Sequence, residues 1–403
     1  MPLSGRLTTR TLVVLCLAAL GWAFSFGLSA PLASLWLKDK GWGCSTVGYN
    51  TGTYYLGIAL AAGAIPWLMR RWGAGCVVAG CFLSGATVAV FPWCQSLAGY
   101  FTARLVNGFA GAMSLIPLET YVNRDSPPQH RSRNFGFYAF SIALGWALGN
   151  LVGLEMYSDA PRLAFIIGAL VAVLAGALLW LRFSTPTGLE EKTQGRGPLD
   201  FRRNFLSFGT VWCQGFLEGG MVGFLSLYLF AMGLNDDRVS LITSGIMIGV
   251  ILFQVPVAWM ADRLGRTAVL LGCYGVVIAG LSCLPFCGDS AWLVLWLFLV
   301  GACSGAFYPL GLTILGERVP GRSLARANSW YLAINCIGSV MGPDIMGEVM
   351  EQFGNRALFP AGLAAVVLVL LVWIVLHFYE IRQKVQAIEV PGAPASIADQ
   401  KAA

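Results

Sequence analysis

The sequence predicts an all-α membrane protein with twelve transmembrane helices in two pseudo-symmetric six-helix bundles. Three observations carry that reading. First, 57% of the 403 residues are hydrophobic, mean hydropathy is +0.70, and the apolar excess falls in long runs. A helix needs about 20 such residues to cross a ~30 Å hydrocarbon core. Second, only 11% of residues are charged, against about 25% in soluble proteins, and they gather in the breaks between runs. Third, Pro117 and Pro309 lie 192 residues apart (309 − 117), as do Arg71 and Arg263, Gly73 and Gly265, Gly27 and Gly219, Pro128 and Pro320, and Asp125 and Glu317. One offset shared by spans, turns and a charged loop indicates a duplicated unit.

The first half reads as six runs. They are Leu12–Leu37, entered after Arg10 and left at Lys38; Val47–Leu68, left at Arg70 and Arg71; Gly75–Phe91; Leu97–Val122, left at Arg124; Asn134–Met156, entered after Arg133; and Leu163–Phe183. The second half repeats the pattern: Phe205–Met232, entered after Arg203; Ser240–Met260, left at Asp262; Val269–Phe286; Ala291–Leu315, left at Arg318; Leu324–Val349; and Ala357–Phe378. The first run is too long for the ~7–15-residue core of a signal peptide and lacks a cleavage site, so it is expected to be retained. Residues 1–183 and 204–380 are the expected bundles. Residues 184–203, polar and rich in Gly, Pro, Thr and charge, are the expected cytoplasmic linker, and 381–403 a cytoplasmic tail.

Net charge is +6. With both termini in the cytoplasm, twenty of the 26 Lys and Arg residues lie inside, five outside, and Arg104 within a span. That asymmetry satisfies the positive-inside rule. The basic groups are scattered over short loops, which argues against a nucleic-acid surface. Eight of the eleven cysteines sit in apolar runs without metal spacing, as small buried hydrophobes do. There is no GxxxxGK[ST] loop for ATP and no HExxH, and His130 and His377 are the only histidines. No enzyme, cofactor or metal site is expected.

Residues 254–266 read QVPVAWMADRLGR. This segment resembles the signature between the second and third spans of a half-repeat in the major facilitator superfamily, with Ala258 where glycine is usual. The resemblance implies parallel halves about an axis along the membrane normal, a substrate held between them near midplane, and alternating access. It assigns Asp262, Arg263, Gly265 and Arg266 to a cytoplasmic gate. In the first half the same register reads IPWLMRRWG, with Arg70 at the place of Asp262, so the two latches are expected to be unequal.

The fourth run contains ARLVNGFAGA, in which Arg104, Asn107, Gly108, Gly111 and Ala112 resemble the family's fourth-span motif. A guanidinium in hydrocarbon costs at least ~2.5–3.5 kcal/mol, so Arg104 should face protein, water or a counter-charge. It either serves coupling or substrate binding, as the resemblance implies, or bonds backbone carbonyls. The run ends PLETYVNR, where Glu119, Tyr121 and Asn123 look like the E-x-W-L-N ending of a poorly characterised bacterial branch. Glu119 lies about 22 Å along the helix from Arg104 at 1.5 Å per residue, so the two cannot pair. A gate role or a wetted structural acid are its two readings.

Glu218, in CQGFLEGGMVGF, is an acid near the middle of the seventh run, and Phe26 is its first-half equivalent. The resemblance places both on cavity-lining spans. A carboxyl held away from water is a candidate for taking up a proton; a hydrogen-bonded packing acid is the alternative. Tyr54, Tyr55, Trp146, Asn150, Tyr228, Trp330, Tyr331 and Asn335 are amphipathic candidates for the cavity wall or for packing and interfacial anchoring. Gly338, Gly342, Pro343 and Gly347 form a small-residue face in the eleventh run, with Asp344 expected to face the bundle. The fifth run has Gly145, Gly149 and Gly153 but no Gly-Pro pair of the kind antiporters of the superfamily carry.

The expected function is secondary active transport of a small organic solute, neutral or amphipathic, through the cytoplasmic membrane of a bacterium. Protons are the expected coupling ion and symport the expected mode, with Glu218, Arg104, Asn107, Tyr228, Trp330 and Asn335 as binding residues. The lipid bilayer is its partner and a monomer its expected state. A uniporter or substrate antiporter is the nearest alternative. A non-transporting sensor or assembly partner is the alternative from another class.

Overall fold

The computed structural model describes residues 7–42, 44–157, 159–182 and 199–389. Most of the expected linker (183–198) and the end of the tail (390–403) lie outside the described residues. Among the described residues there is no strand. The first half comprises α1 (Thr9–Asp39), α2 (Cys44–Ala62), α3 (Ile65–Trp72), α4 (Gly75–Val90), α5 (Leu97–Asp125), α6 (Arg131–Tyr157) and α7 (Pro161–Arg182). The second comprises α8 (Phe205–Ala231), α9 (Asp236–Leu264), α10 (Arg266–Cys283), α11 (Ala291–Gly305), α12 (Phe307–Arg318), α13 (Gly321–Phe353) and α14 (Leu358–Glu389).

These helices account for the twelve apolar runs, because two runs are interrupted. α2 and α3 share one run but bend by 61°; α11 and α12 share another, broken at Ala306. Pro66 has no N–H to give and crowds the carbonyl of Ala62, so the helix stops there and restarts with proline in its first turn. Among the described residues seven helices are long and apolar enough to cross a membrane unaided, or eight if the bent pair is one span. α5, α8, α9 and α13, at 29, 27, 29 and 33 residues, are long enough as well. α5 and α13 are diluted by polar side chains that meet the other half, Thr120 and Asn328 among them.

Both halves are packed alike. α1 lies against α6, α2 against α5, and α4 between α5 and α7; in the second half α8 lies against α13, α9 against α11, and α10 between α11 and α14. The turns leading to α4 and α10 use Gly73 (φ 52°) and Gly265 (φ 95°), a region that side chains with a Cβ rarely adopt. The halves meet where α6 packs on α9, α2 on α13, and α5 on α12 and α13. α6 approaches α9 through Gly136, where a Cβ would stand 2.5 Å from that of Ala258. Asp344 is exposed rather than turned into the bundle, because its side of α13 points away from α8.

Candidate functional site

Between the halves lies a cavity of about 300 Å³. Its first-half wall is aromatic: Trp22 and Phe26 from α1, Tyr54 and Tyr55 from α2, and Trp146 from α6. Phe26 is the hub, stacked on Trp22 at 5.9 Å and on Tyr54 at 4.9 Å, with Trp146 tilted at 6.4 Å. Glycines set these rings in place. Gly27 admits the backbone of Trp146, whose carbonyl oxygen would stand 2.3 Å from a Cβ, and Gly108 admits that of Tyr54 at 2.0 Å. Small residues thus substitute backbone contact for side-chain bulk, and the fourth-span glycine of the sequence motif positions a cavity residue on α2.

The second-half wall carries Glu218. Glu218 lines the cavity one helical turn from Gln214, whose Nε2 donates to its Oε2. Gln214 Oε1 accepts from Asn335 Nδ2 at 2.5 Å, and the same nitrogen donates to the Val211 carbonyl at 3.2 Å. Gly215 and Gly219 flank the acid and let α13 approach, with Asn335 O and Ser339 O at 2.2 and 2.4 Å from their would-be Cβ atoms. That close approach brings Asn335 within reach of Gln214. Among the described lining residues the carboxyls are Glu218 and Glu119, and no Lys, Arg or His is present.

Glu119 sits at the cavity floor. Tyr308 on α12 donates its hydroxyl to Glu119 Oε1 at 2.8 Å, joining the halves, and Glu119 Oε2 is buried without a hydrogen-bond partner. Below it a polar seal continues along α5. Asn328 Nδ2 donates to Thr120 Oγ1 at 3.0 Å, and Asn123 Nδ2 to the Leu312 carbonyl at 2.7 Å. The 119–123 segment is therefore a cross-half seam.

The charged turn lies at the end of that seam. Asp262 accepts the backbone N–H groups of Ser132 (3.0 Å) and Arg133 (2.7 Å), at the start of α6 in the opposite half. A carboxylate at a helix N-terminus meets unpaired donors and a favourable dipole. Arg266 bridges to Asp262 at 2.9 Å, to Ser132 Oγ at 2.6 Å, to the Pro128 carbonyl at 2.5 Å, and to Glu317. Burial, and then the Arg266 charge, lower Arg131 from the usual guanidinium range. Arg263 does not cross the seam; its guanidinium stacks 3.6 Å over Trp259 on its own helix. Gly265 supplies only the turn.

The remaining candidates stand behind the walls. Arg104 is buried, stacks at 5.3 Å over the Tyr54 ring, and leaves Nε without a hydrogen bond. Asn107 donates to Thr87 Oγ1 at 2.7 Å within the first half. Tyr228 packs edge-on to Phe359 at 4.8 Å, and Trp330 is 46% exposed against Phe201. None of these four lines the cavity. Of the binding candidates, Glu218 and Asn335 are the ones brought together, through Gln214. Gln214, Tyr308, Thr120 and Asn328 were not singled out from the sequence; the i, i+4 spacing of Gln214 to Glu218 was the available signal for the first.

The Major Facilitator Superfamily family model matches residues 11–235 and 207–402. The chain belongs to that superfamily. Among its relatives, the uncharacterized MFS-type transporter YfkF of Bacillus subtilis is 27% identical over 350 residues, covering 83% of this chain and 88% of that one. The uncharacterized MFS-type transporter Ent638_1421 of Enterobacter sp. is 25% identical, covering 87% and 92%. Both are uncharacterized bacterial MFS-type transporters, in line with a poorly characterised bacterial branch of the superfamily. Solved structures share the fold: the MFS transporter FucP in the outward conformation (TM-score 0.77, 15% identity, 92% of this chain and 98% of that one), and a bacterial homologue of the iron transporter ferroportin in its outward-facing state with soaked iron (0.74, 15%, 91% and 99%). This facilitator-family chain is thus a multi-pass membrane protein of twelve helices in two halves.

Proposed function

We propose that the protein is a secondary active transporter that moves a small organic solute by alternating access, coupled to the proton gradient. The observation that carries this reading is Glu218, a carboxyl in the wall of a cavity enclosed by the two halves. Glu218 takes the solute or the proton, with Gln214 and Asn335 holding it in place. The halves are parted at the cavity and sealed at the face bearing Asp262. Rocking to the opposite state requires release of the Asp262–Arg266 contacts and of the Glu119–Tyr308 bond. Arg104 acts from behind Tyr54, as a fixed positive charge in the first half. In this reading the protein lies in the cytoplasmic membrane of a bacterium with both termini in the cytoplasm, so that the sealed face is cytoplasmic, and it works as a monomer. Residues 1–183 and 204–380 move as the two bodies.

The test is a thermal-stability screen of purified wild type and Glu218→Gln against sugars, amino acids, organic acids and amphipathic cations. A ligand at ~100 times its Kd stabilises by about 2.7 kcal/mol. A shift present in wild type and absent in the variant supports the site. Transport of that ligand with no dependence on a pH gradient would make the protein a uniporter or substrate antiporter instead.

A further inference from the structure

Taking the cavity as the transport site argued above, we propose that its substrates are organic cations with an aromatic or otherwise apolar body. The two walls are chemically opposite. One is lined by the rings of Trp22, Phe26, Tyr54 and Trp146, clustered around Phe26 at centroid distances of 4.9 to 6.4 Å. Such rings attract cations through their quadrupoles and pack against flat apolar groups. Tyr54 already holds one cation, Arg104, at 5.3 Å.

The other wall presents Glu218. Asn335 fixes the Gln214 amide by donating to its Oε1 at 2.5 Å, which turns the Gln214 N–H towards the Glu218 carboxyl. The relay therefore hands the carboxyl a donor, as an anion requires. What it lacks is a counter-charge. Among the described lining residues there is no Lys, Arg or His, and Arg104 is buried outside the wall. A buried carboxylate without a cation is costly, and a cationic ligand supplies one.

The same wall disfavours other ligand classes. An anion would meet Glu218 and Glu119 and no positive side chain of the lining. A polyol would find three polar side chains turned to backbone, Ser339 to the Asn335 carbonyl, Ser304 to that of Gly301 and Gln254 to that of Gly305, and the Tyr138 hydroxyl as the lining donor left without a partner. At about 300 Å³ the cavity falls at the lower end of drug-sized pockets, which run from roughly 300 to 1,000 Å³.

The test uses tetraphenylphosphonium and tetraphenylborate, ions of matched shape and opposite charge, titrated into purified full-length protein and read by calorimetry and tryptophan quenching. Phosphonium should bind at least tenfold more tightly than borate. Glu218→Gln should weaken phosphonium at least tenfold, and Phe26→Ala several-fold. Equal or tighter borate binding, binding of neither ion, or unchanged phosphonium binding in Glu218→Gln would each overturn the proposal. The wild-type pair decides even where a variant does not fold. Binding as expected, in protein that carries no solute after reconstitution, would keep the cation site and remove the transport reading.

Discussion

Residues 70–74 and 262–266 form equivalent turns, 192 positions apart in the two halves (262 − 70). Both carry a glycine with positive φ one position before the last, Gly73 and Gly265, so that feature is shared between them, although ψ differs (−126° against 128°). Their chemistry is not shared. Asp262 accepts two backbone N–H groups from the start of α6 and holds Arg266 against it. Its counterpart is Arg70, a cation that cannot accept an N–H, and the counterpart of Arg266 is Ala74. The helices that lead in differ as well: α9 runs unbroken through Pro256, whereas α2 and α3 bend by 61°. The cavity repeats the lesson, with Phe26 in one half where the other has Glu218. Duplication has kept the glycines of the turns and divided the chemistry, the Phe26 ring cluster and Glu119 to one half and Glu218 and the Asp262 latch to the other.

The largest effect that would break this comparison is Asp262→Ala. The change leaves Arg266 with Glu317 as its carboxylate partner but strips the Ser132 and Arg133 backbone N–H groups of their acceptor, at about 1–3 kcal/mol each. Spin labels at Gln129 and Arg326 should report a sealed face that opens in the variant. An unchanged distance distribution would show that the latch is not needed. Next come the close approaches. Gly136→Ala would drive a methyl into Ala258, and Gly316→Ala would place one 2.2 Å from Asn123 Oδ1, displacing its bond to Leu312. Overpacking of this kind costs roughly 1–3 kcal/mol, to be seen as a lower Tm in both variants. The smallest effect sharpens the comparison. Arg70→Asp restores the missing acid where α3 packs on α13. A helix-terminus charge of this sort is worth about 0.3–1 kcal/mol, so the sealed face should tighten and turnover should slow a few-fold.

Much of this architecture was legible in the sequence, for identifiable reasons. Hydropathy is a one-dimensional property, so it located the runs but not the bend at Pro66 or the break at Ala306. The 192-residue offset exposed the duplication because turns and prolines constrain the backbone wherever they occur. Glu218 could be read because an acid amid apolar residues has few reasons to be there. Gln214 could not, since a neutral amide in a span carries no such cost. Tyr228 and Trp330 look the same in sequence as Tyr55 and Trp146; only helix rotation decides which ring meets the cavity. Glu119 was legible as an acid near a helix end, but its role in joining the halves depends on Tyr308, 189 residues away.

Coupling through Glu218 is tested most directly in proteoliposomes, with the solute that stabilises the purified protein. Wild type and Glu218→Gln would be compared with and without an imposed pH gradient, alongside counterflow, which needs no gradient. Wild type should accumulate solute only when the gradient is present. Glu218→Gln should lose that accumulation, even where some counterflow survives. Gradient-driven accumulation of wild-type size in the variant would contradict a coupling role for Glu218.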